Sequence, residues 1–134
     1  MDSCYYFTTS PSYLTWSGAM AACKELHHNS SLPSVHSEAE DKFLQSRTTS
    51  HPFWLGGSRG VGAPYLTPSS WTWGDGSPMN YTAWAKGQPN NYWWGERCVR
   101  SIKVEVEGGQ TWDDHKCWFK TALALVCKIE LQMP

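Results

Sequence analysis

Long apolar runs are missing from this 134-residue chain, and with them the mark of a membrane-spanning helix, which needs about 20 consecutive apolar residues. Charge is scarce as well. Only 17% of residues are charged and the formal net charge is -1, so the basic footprint that nucleic-acid binding requires is not there. No internal repeat and no linker of biased composition divides the chain, and its length suits one domain with a real core. Met1-Asp2-Ser3 leads straight into Cys4 without the apolar centre of a secretory leader, so a mature domain, or a piece carrying an added Met, is expected. Periodicity of either kind is also absent from Ser58 to Trp94, where Gly, Pro, Ser, Asn and Trp dominate. A compact domain rarely holds so long a structureless stretch unless that stretch carries function.

What is present starts with five cysteines and two Asn-x-Ser/Thr sequons, at Asn29 and Asn80. Together they point to an oxidising, secretory route, hence a secreted or extracellular glycoprotein. The odd cysteine count leaves one thiol over, and sequence alone leaves the connectivity open. Nine tryptophans are many for this length. An indole N–H is costly to bury without a partner, so several are expected at a contact surface.

Tyr5-Tyr6-Phe7 reads as a first strand ending at Pro11. A helix from Thr15 follows, with Trp16, Ala19, Met20, Cys23 and Leu26 at helical spacing. Ser37-Glu38-Ala39-Glu40 is a capping box opening a second helix through Phe43 and Leu44. Phe53 to Gly57 reads as a core strand closed by a glycine turn. Cys98 to Val106 alternates with strand period, Gly108-Gly109 turns the chain back, and Thr111-Trp112-Asp113 begins the return. Leu123 to Ile129 closes the sheet. His27, His28 and His36 lack the spacing of a closed zinc site and are expected to be solvated. A Cys–His nucleophilic pair would need a free thiol, so no enzyme is predicted.

The most informative stretch runs Gln88-Pro89-Asn90-Asn91-Tyr92-Trp93-Trp94-Gly95-Glu96-Arg97-Cys98 and resumes at Trp112-Asp113-Asp114-His115-Lys116-Cys117. Amide and carboxylate oxygens of this kind suit a hard cation such as Ca2+, which takes six to eight oxygen ligands. Gln-Pro-Asn, Gly-Glu-x-Cys and Trp-Asp-Asp before another cysteine resemble the C-type lectin-like domain, and the likeness extends over nearly the whole chain. The resemblance implies an α+β fold across residues 1–134, with two helices and two small antiparallel sheets flanking a long calcium-binding loop region. It also implies disulfides Cys23–Cys127 and Cys98–Cys117, a cis peptide bond before Pro89, and one calcium site formed by Gln88, Asn90, Glu96, Asp113 and Asp114. Arg97 and Asn91 stand where a second calcium position would want acids.

By the same resemblance, glycans or glycoproteins are the expected partners, and Gln88, Asn90, Tyr92, Trp93, Trp94, Glu96 and Asp113 are the expected sugar contacts. Glu-Pro-Asn accompanies mannose-type ligands in that family and Gln-Pro-Asp galactose-type ones; Gln-Pro-Asn is neither. Tyr92, four positions after Gln88, tilts the expectation toward galactose-type ligands. Cys4, whose mate in the family's N-terminal hairpin would lie upstream, is left unpaired or free to bridge a dimer. The alternative is a calcium-independent protein-recognition module anchored by Tyr92, Trp93 and Trp94, since Trp and Tyr dominate interface hot spots.

Overall fold

The structure is a computed structural model that describes residues 3–48, 52–92, 94–102 and 110–131. Its two helices arise where the local signals place them. Helix α1 (Trp16–Leu26) is capped by Thr15, whose side chain accepts from the Gly18 N–H, and α2 (Glu38–Arg47) by Ser37, which accepts from the Glu40 N–H. Such caps satisfy N–H groups that the helix itself leaves without a partner. The reciprocal half of the expected capping box is displaced by one residue: Glu40 Oε1 accepts from the His36 N–H at 2.8 Å. The other Glu40 oxygen lies 2.7 Å from the buried Lys128 ammonium, tying α2 to the C-terminal strand. Ala19 and Cys23 are buried on α1, but Leu26, expected on the same stripe, is 43% exposed at the helix end.

Strands β1 (Ser3–Leu14), β2 (Ser30–Ser31) and β7 (Ala122–Glu130) form one antiparallel sheet in the order β1-β7-β2. Strand β1 does not stop at Pro11. Its register slips between Thr9 and Leu14, and such an irregularity accommodates a residue without an N–H. The second sheet holds β3 (Phe53–Arg59), β4 (Trp71–Trp73), β5 (Glu96–Ser101) and β6 (Trp112–Lys116) in the order β4-β3-β5-β6. Gly56 and Gly57 form no turn, because β3 runs on through them to Arg59. A Cβ at Gly56 would stand 2.6 Å from the Leu32 carbonyl oxygen, and one at Gly57 2.7 Å from Val99 Cγ2. The glycines let neighbouring chain segments approach. The segment expected to lack structure also contains β4, whose Trp71 and Trp73 pair with Arg59 and Gly57. The Gly108-Gly109 turn and the far end of the alternating strand, with Val104 and Val106, lie outside the described residues.

Both disulfides that the resemblance implied are present, Cys23–Cys127 and Cys98–Cys117, with Cα separations of 5.5 and 5.2 Å. Cys4 is an exposed free thiol on β1. The tryptophans depart from the expectation of a contact surface: Trp54, Trp71, Trp73 and Trp112 are all buried. Backbone carbonyls of Leu14 and Tyr65 receive the Trp54 and Trp71 indoles, each at 2.9 Å, and the Asp41 carboxylate receives that of Trp112 at 3.0 Å. Most indole partners come from distant segments, so the rings act as clips between them. Among the described residues, Trp94 and Trp118 are the exposed exceptions, at 81% and 67%.

Candidate functional site

Strand β6 carries two acids of the site, Asp113 and Asp114, on a backbone fixed from both sides. On one side it pairs with β5, placing Arg100 opposite Asp113 and Val99 opposite Asp114. On the other, the loop around Trp84 bridges to Trp112, and the Ala85 N–H donates to the Trp112 carbonyl at 2.8 Å. The chain then turns through Gly87, at φ 82°, into a cis Gln88–Pro89 bond. That is the isomer the resemblance implied.

Beyond the proline, Asp114 takes hold of the loop. One carboxylate oxygen accepts from the Asn90 N–H at 3.0 Å and the other from the Asn91 N–H at 2.8 Å. Asn91 adopts φ 49°, a left-handed conformation that Asn tolerates better than most residues. Its amide oxygen collects three donors: Arg59 Nη2 at 2.7 Å, the Gly95 N–H at 2.9 Å and the Glu96 N–H at 3.1 Å. Arg59 is itself buried and also donates to the Glu96 carbonyl. Asn91 therefore holds the loop closed. Lys116 adds a further tie through its ammonium, to the Tyr92 and Trp94 carbonyls at 3.0 and 3.3 Å.

All five residues expected to hold calcium meet at one cavity of about 210 Å³, lined by Gln88, Asn90, Tyr92, Glu96, Arg100, Asp113, Asp114 and His115. Tyr92 stands there 61% exposed, Trp94 is not among the lining residues, and Trp93 lies outside the described residues. Glu96 Oε1 accepts from the Tyr92 N–H at 2.7 Å, and Oε2 lies 3.4 Å from His115 Nδ1. Burial, reinforced by the charges of Asp114 and Asp113, pushes the Glu96 carboxyl up to about 6. Burial, with Arg100 and Lys116 nearby, pushes His115 down to about 4. At neutral pH the Glu96–His115 contact therefore joins a carboxylate to a neutral ring. Asp113 is also raised by burial, although Arg100 opposes the shift.

The Arg100 guanidinium faces Asp113 as a fork, with Nε donating to one oxygen at 2.8 Å and Nη2 to the other at 3.0 Å, while Nη1 donates to Thr121 at 2.8 Å. Among the described residues, no three His, Cys, Asp or Glu side chains converge as a metal cage. An oxygen-ligated cation would therefore also need the amides of Gln88 and Asn90. Gln88 Oε1 meets that need, being buried without a hydrogen-bond partner among the described residues. An acceptor left so costs about 1–3 kcal/mol, which a cation would relieve. Gln88 fits such an ion, as do Asn90, Glu96 and Asp114 through the lone pairs that their N–H partners leave over, whereas the Asp113 charge is already met by Arg100.

The Lectin C-type domain family matches residues 12–129 of the chain. The chain belongs to this family. Among its relatives is the C-type lectin lectoxin-Lio1 of Erythrolamprus poecilogyrus, 31% identical over 137 aligned positions that cover 96% of this chain and 76% of that protein. In three dimensions this lectin domain resembles the carbohydrate-recognition domain of cow CD23, solved in the presence of a GlcNAc2Man3 oligosaccharide. The TM-score is 0.78 at 29% identity, over 99% of this chain and 92% of the other. It also resembles a calcium-independent type II antifreeze protein, with a TM-score of 0.72 at 25% identity over 94% and 85% of the two chains. C-type lectin domains are binding modules, and this one is no enzyme. Its relatives give no support to a dimer through Cys4.

Reading the lectin motifs in sequence missed Arg59, Arg100 and His115, and took Asn91 only as a lost carboxylate. One signal was available: Arg100 falls in the same alternating phase as Cys98 and Ile102, and a cation on a buried strand face demands a facing acid. The histidines divide. His27 and His28 are exposed as expected, whereas His36 is half-buried and bonded to Ser77 Oγ and Asn80 Oδ1, each at 3.0 Å.

Proposed function

We propose that residues 1–134 act as one secreted or extracellular lectin domain that binds glycans at the loop cavity through a single Ca2+. The observation that carries this reading is the buried Gln88 Oε1, without a hydrogen-bond partner among the described residues, in the wall of a cavity that Asn90, Glu96, Asp113 and Asp114 share with Tyr92, Arg100 and His115. Gln88, Asn90, Glu96 and Asp114 would hold the ion, and Asp113 would join them only on release from Arg100. Bound calcium supplies a Lewis-acidic point that accepts sugar hydroxyl oxygens. The chain's own contribution is hydrogen-bond direction: ionised Glu96 and Asp114 only accept, while the Gln88 and Asn90 amides can also donate. Tyr92, exposed at the cavity rim, offers a ring face to the apolar side of a sugar, which favours galactose-type ligands. Of the two sequons, Asn80 is the better glycan acceptor. It is exposed and lies outside any helix or strand, whereas the Ser30 and Ser31 of the Asn29 sequon are buried in β2.

A second reading is kept because Arg100 neutralises Asp113 in place and both Asp114 oxygens already hold N–H groups. On that reading the loop needs no metal, and its exposed aromatics serve a protein partner. Thermal unfolding separates the two. A calcium-binding loop should be stabilised by mass action, by about 2.7 kcal/mol at a hundredfold excess over the dissociation constant. We expect the melting temperature to rise in millimolar Ca2+ and to fall back with EDTA; a temperature indifferent to both would favour the second reading.

A further inference from the structure

We infer that Arg100 is a built-in competitor for the calcium position, and that its grip on Asp113 sets the ion's affinity. The inference rests on the calcium reading above and concerns only what this chain's residues do to it. Arg100 and Asp113 are directly opposed on neighbouring strands. Their side chains are mostly buried, at 17% and 12% exposure. The fork engages both Asp113 oxygens, and a third bond to Thr121 Oγ1 fixes the guanidinium from behind. Arg is always charged and presents its donors in a rigid plane that matches a carboxylate.

Both residues line the same cavity as Gln88, Asn90, Glu96 and Asp114. A divalent ion entering there faces one of two costs. Either it binds beside a fixed positive charge with one carboxylate withheld, or it draws Asp113 away and leaves a mostly buried guanidinium without its anion. Unpairing a buried charge is strongly unfavourable, so each route lowers affinity. The same fork supplies what the metal-free site lacks. With Glu96, Asp113 and Asp114 crowded around one cavity, Arg100 offsets the Asp113 charge when calcium is absent, while Asn91 and Lys116 hold the loop closed. The site is therefore built to survive without calcium, at the expense of holding it loosely.

The test is calcium titration by calorimetry, with melting curves in EDTA and in Ca2+, on the wild-type chain and Arg100→Gln. Glutamine keeps a polar side chain toward Thr121 and removes the charge. We expect Arg100→Gln to bind Ca2+ roughly ten- to a hundredfold more tightly, the range that a charge-assisted hydrogen bond spans. Its melting temperature should fall in EDTA and recover in Ca2+ by a larger step than wild type. A purely structural role would lower both curves together.

Asp113→Asn and the double variant Arg100→Gln/Asp113→Asn complete a cycle. If Arg100 acts through Asp113, its removal changes calcium affinity far less in the Asn background, whose uncharged pair also protects against misfolding of the single variant. Wild type and Arg100→Gln binding calcium equally, or the variant binding less, would overturn the inference and leave the calcium reading standing. No calcium binding by wild type or any folded variant would overturn both.

Discussion

Asp114→Asn should abolish ligand binding while leaving the fold in place. The side chain is 1% exposed, and its two oxygens are the acceptors for the Asn90 and Asn91 N–H groups. Asparagine keeps the shape but turns one acceptor into an NH2 donor that faces another donor. One backbone N–H loses its partner, at a cost of about 1–3 kcal/mol. A negative charge also leaves the cavity that Gln88, Asn90 and Glu96 share with it. Because Asn90 carries both a gripped N–H and a proposed ligand oxygen, the loop and the ligand set move together. Calcium and glycan affinity should fall by roughly a hundredfold or more, the equivalent of about 2.7 kcal/mol. Calorimetric titration checks this; retained affinity would mean that the loop is held elsewhere.

The largest effect on stability should come from Trp112→Ala. Trp112 is fully buried at the start of β6, with ring centroids 5.4 Å from Trp73, 5.9 Å from Tyr81 and 5.7 Å from Trp84. Its indole N–H donates to Asp41 Oδ1, whose carboxylate otherwise relies on Thr111 Oγ1. Burial already raises the Asp41 pKa, so losing a donor makes its charge harder to hold. A buried Trp→Ala change costs about 3–5 kcal/mol, against a total of about 5–15 kcal/mol for a typical domain. A drop in melting temperature of about 10–20 °C is expected. Trp112→Phe keeps most of the packing and loses the donor, so it should cost less, and calorimetry on the pair separates packing from the Asp41 bond. Because Asp113 and Asp114 follow directly, the alanine variant should lose ligand binding before it unfolds.

These two residues also mark where sequence stops being legible. The helices could be read because their signals are local: Thr15 and Ser37 cap within three residues, and the buried stripe of α1 repeats within a few turns. The motif around Gln88, Glu96 and Asp114 could be read because residue types and spacing survive in the chain itself. Contacts between distant segments could not. Gly56 looks like a turn until the Leu32 carbonyl is seen against it. The three-residue strand Trp71–Trp73 is too short to show a period and exists because β3 offers it an edge. Nine tryptophans suggested a surface, yet the buried Trp54 and Trp112 indoles are met by a backbone carbonyl and a carboxylate 40 and 71 residues away. Arg59 and Arg100 read as ordinary charges although each is fixed by the site. Their partners, Asn91 and Asp113, lie 32 and 13 residues away.

Glycan binding at the loop cavity is proposed to run through calcium. Its most direct test is a glycan array read with Ca2+ and again with EDTA, with Asp114→Asn alongside to locate the site. We expect binding, with galactose-type ligands favoured, that vanishes on chelation, returns when calcium is restored, and is absent from Asp114→Asn under both conditions. Glycan binding that persists undiminished in EDTA would contradict it.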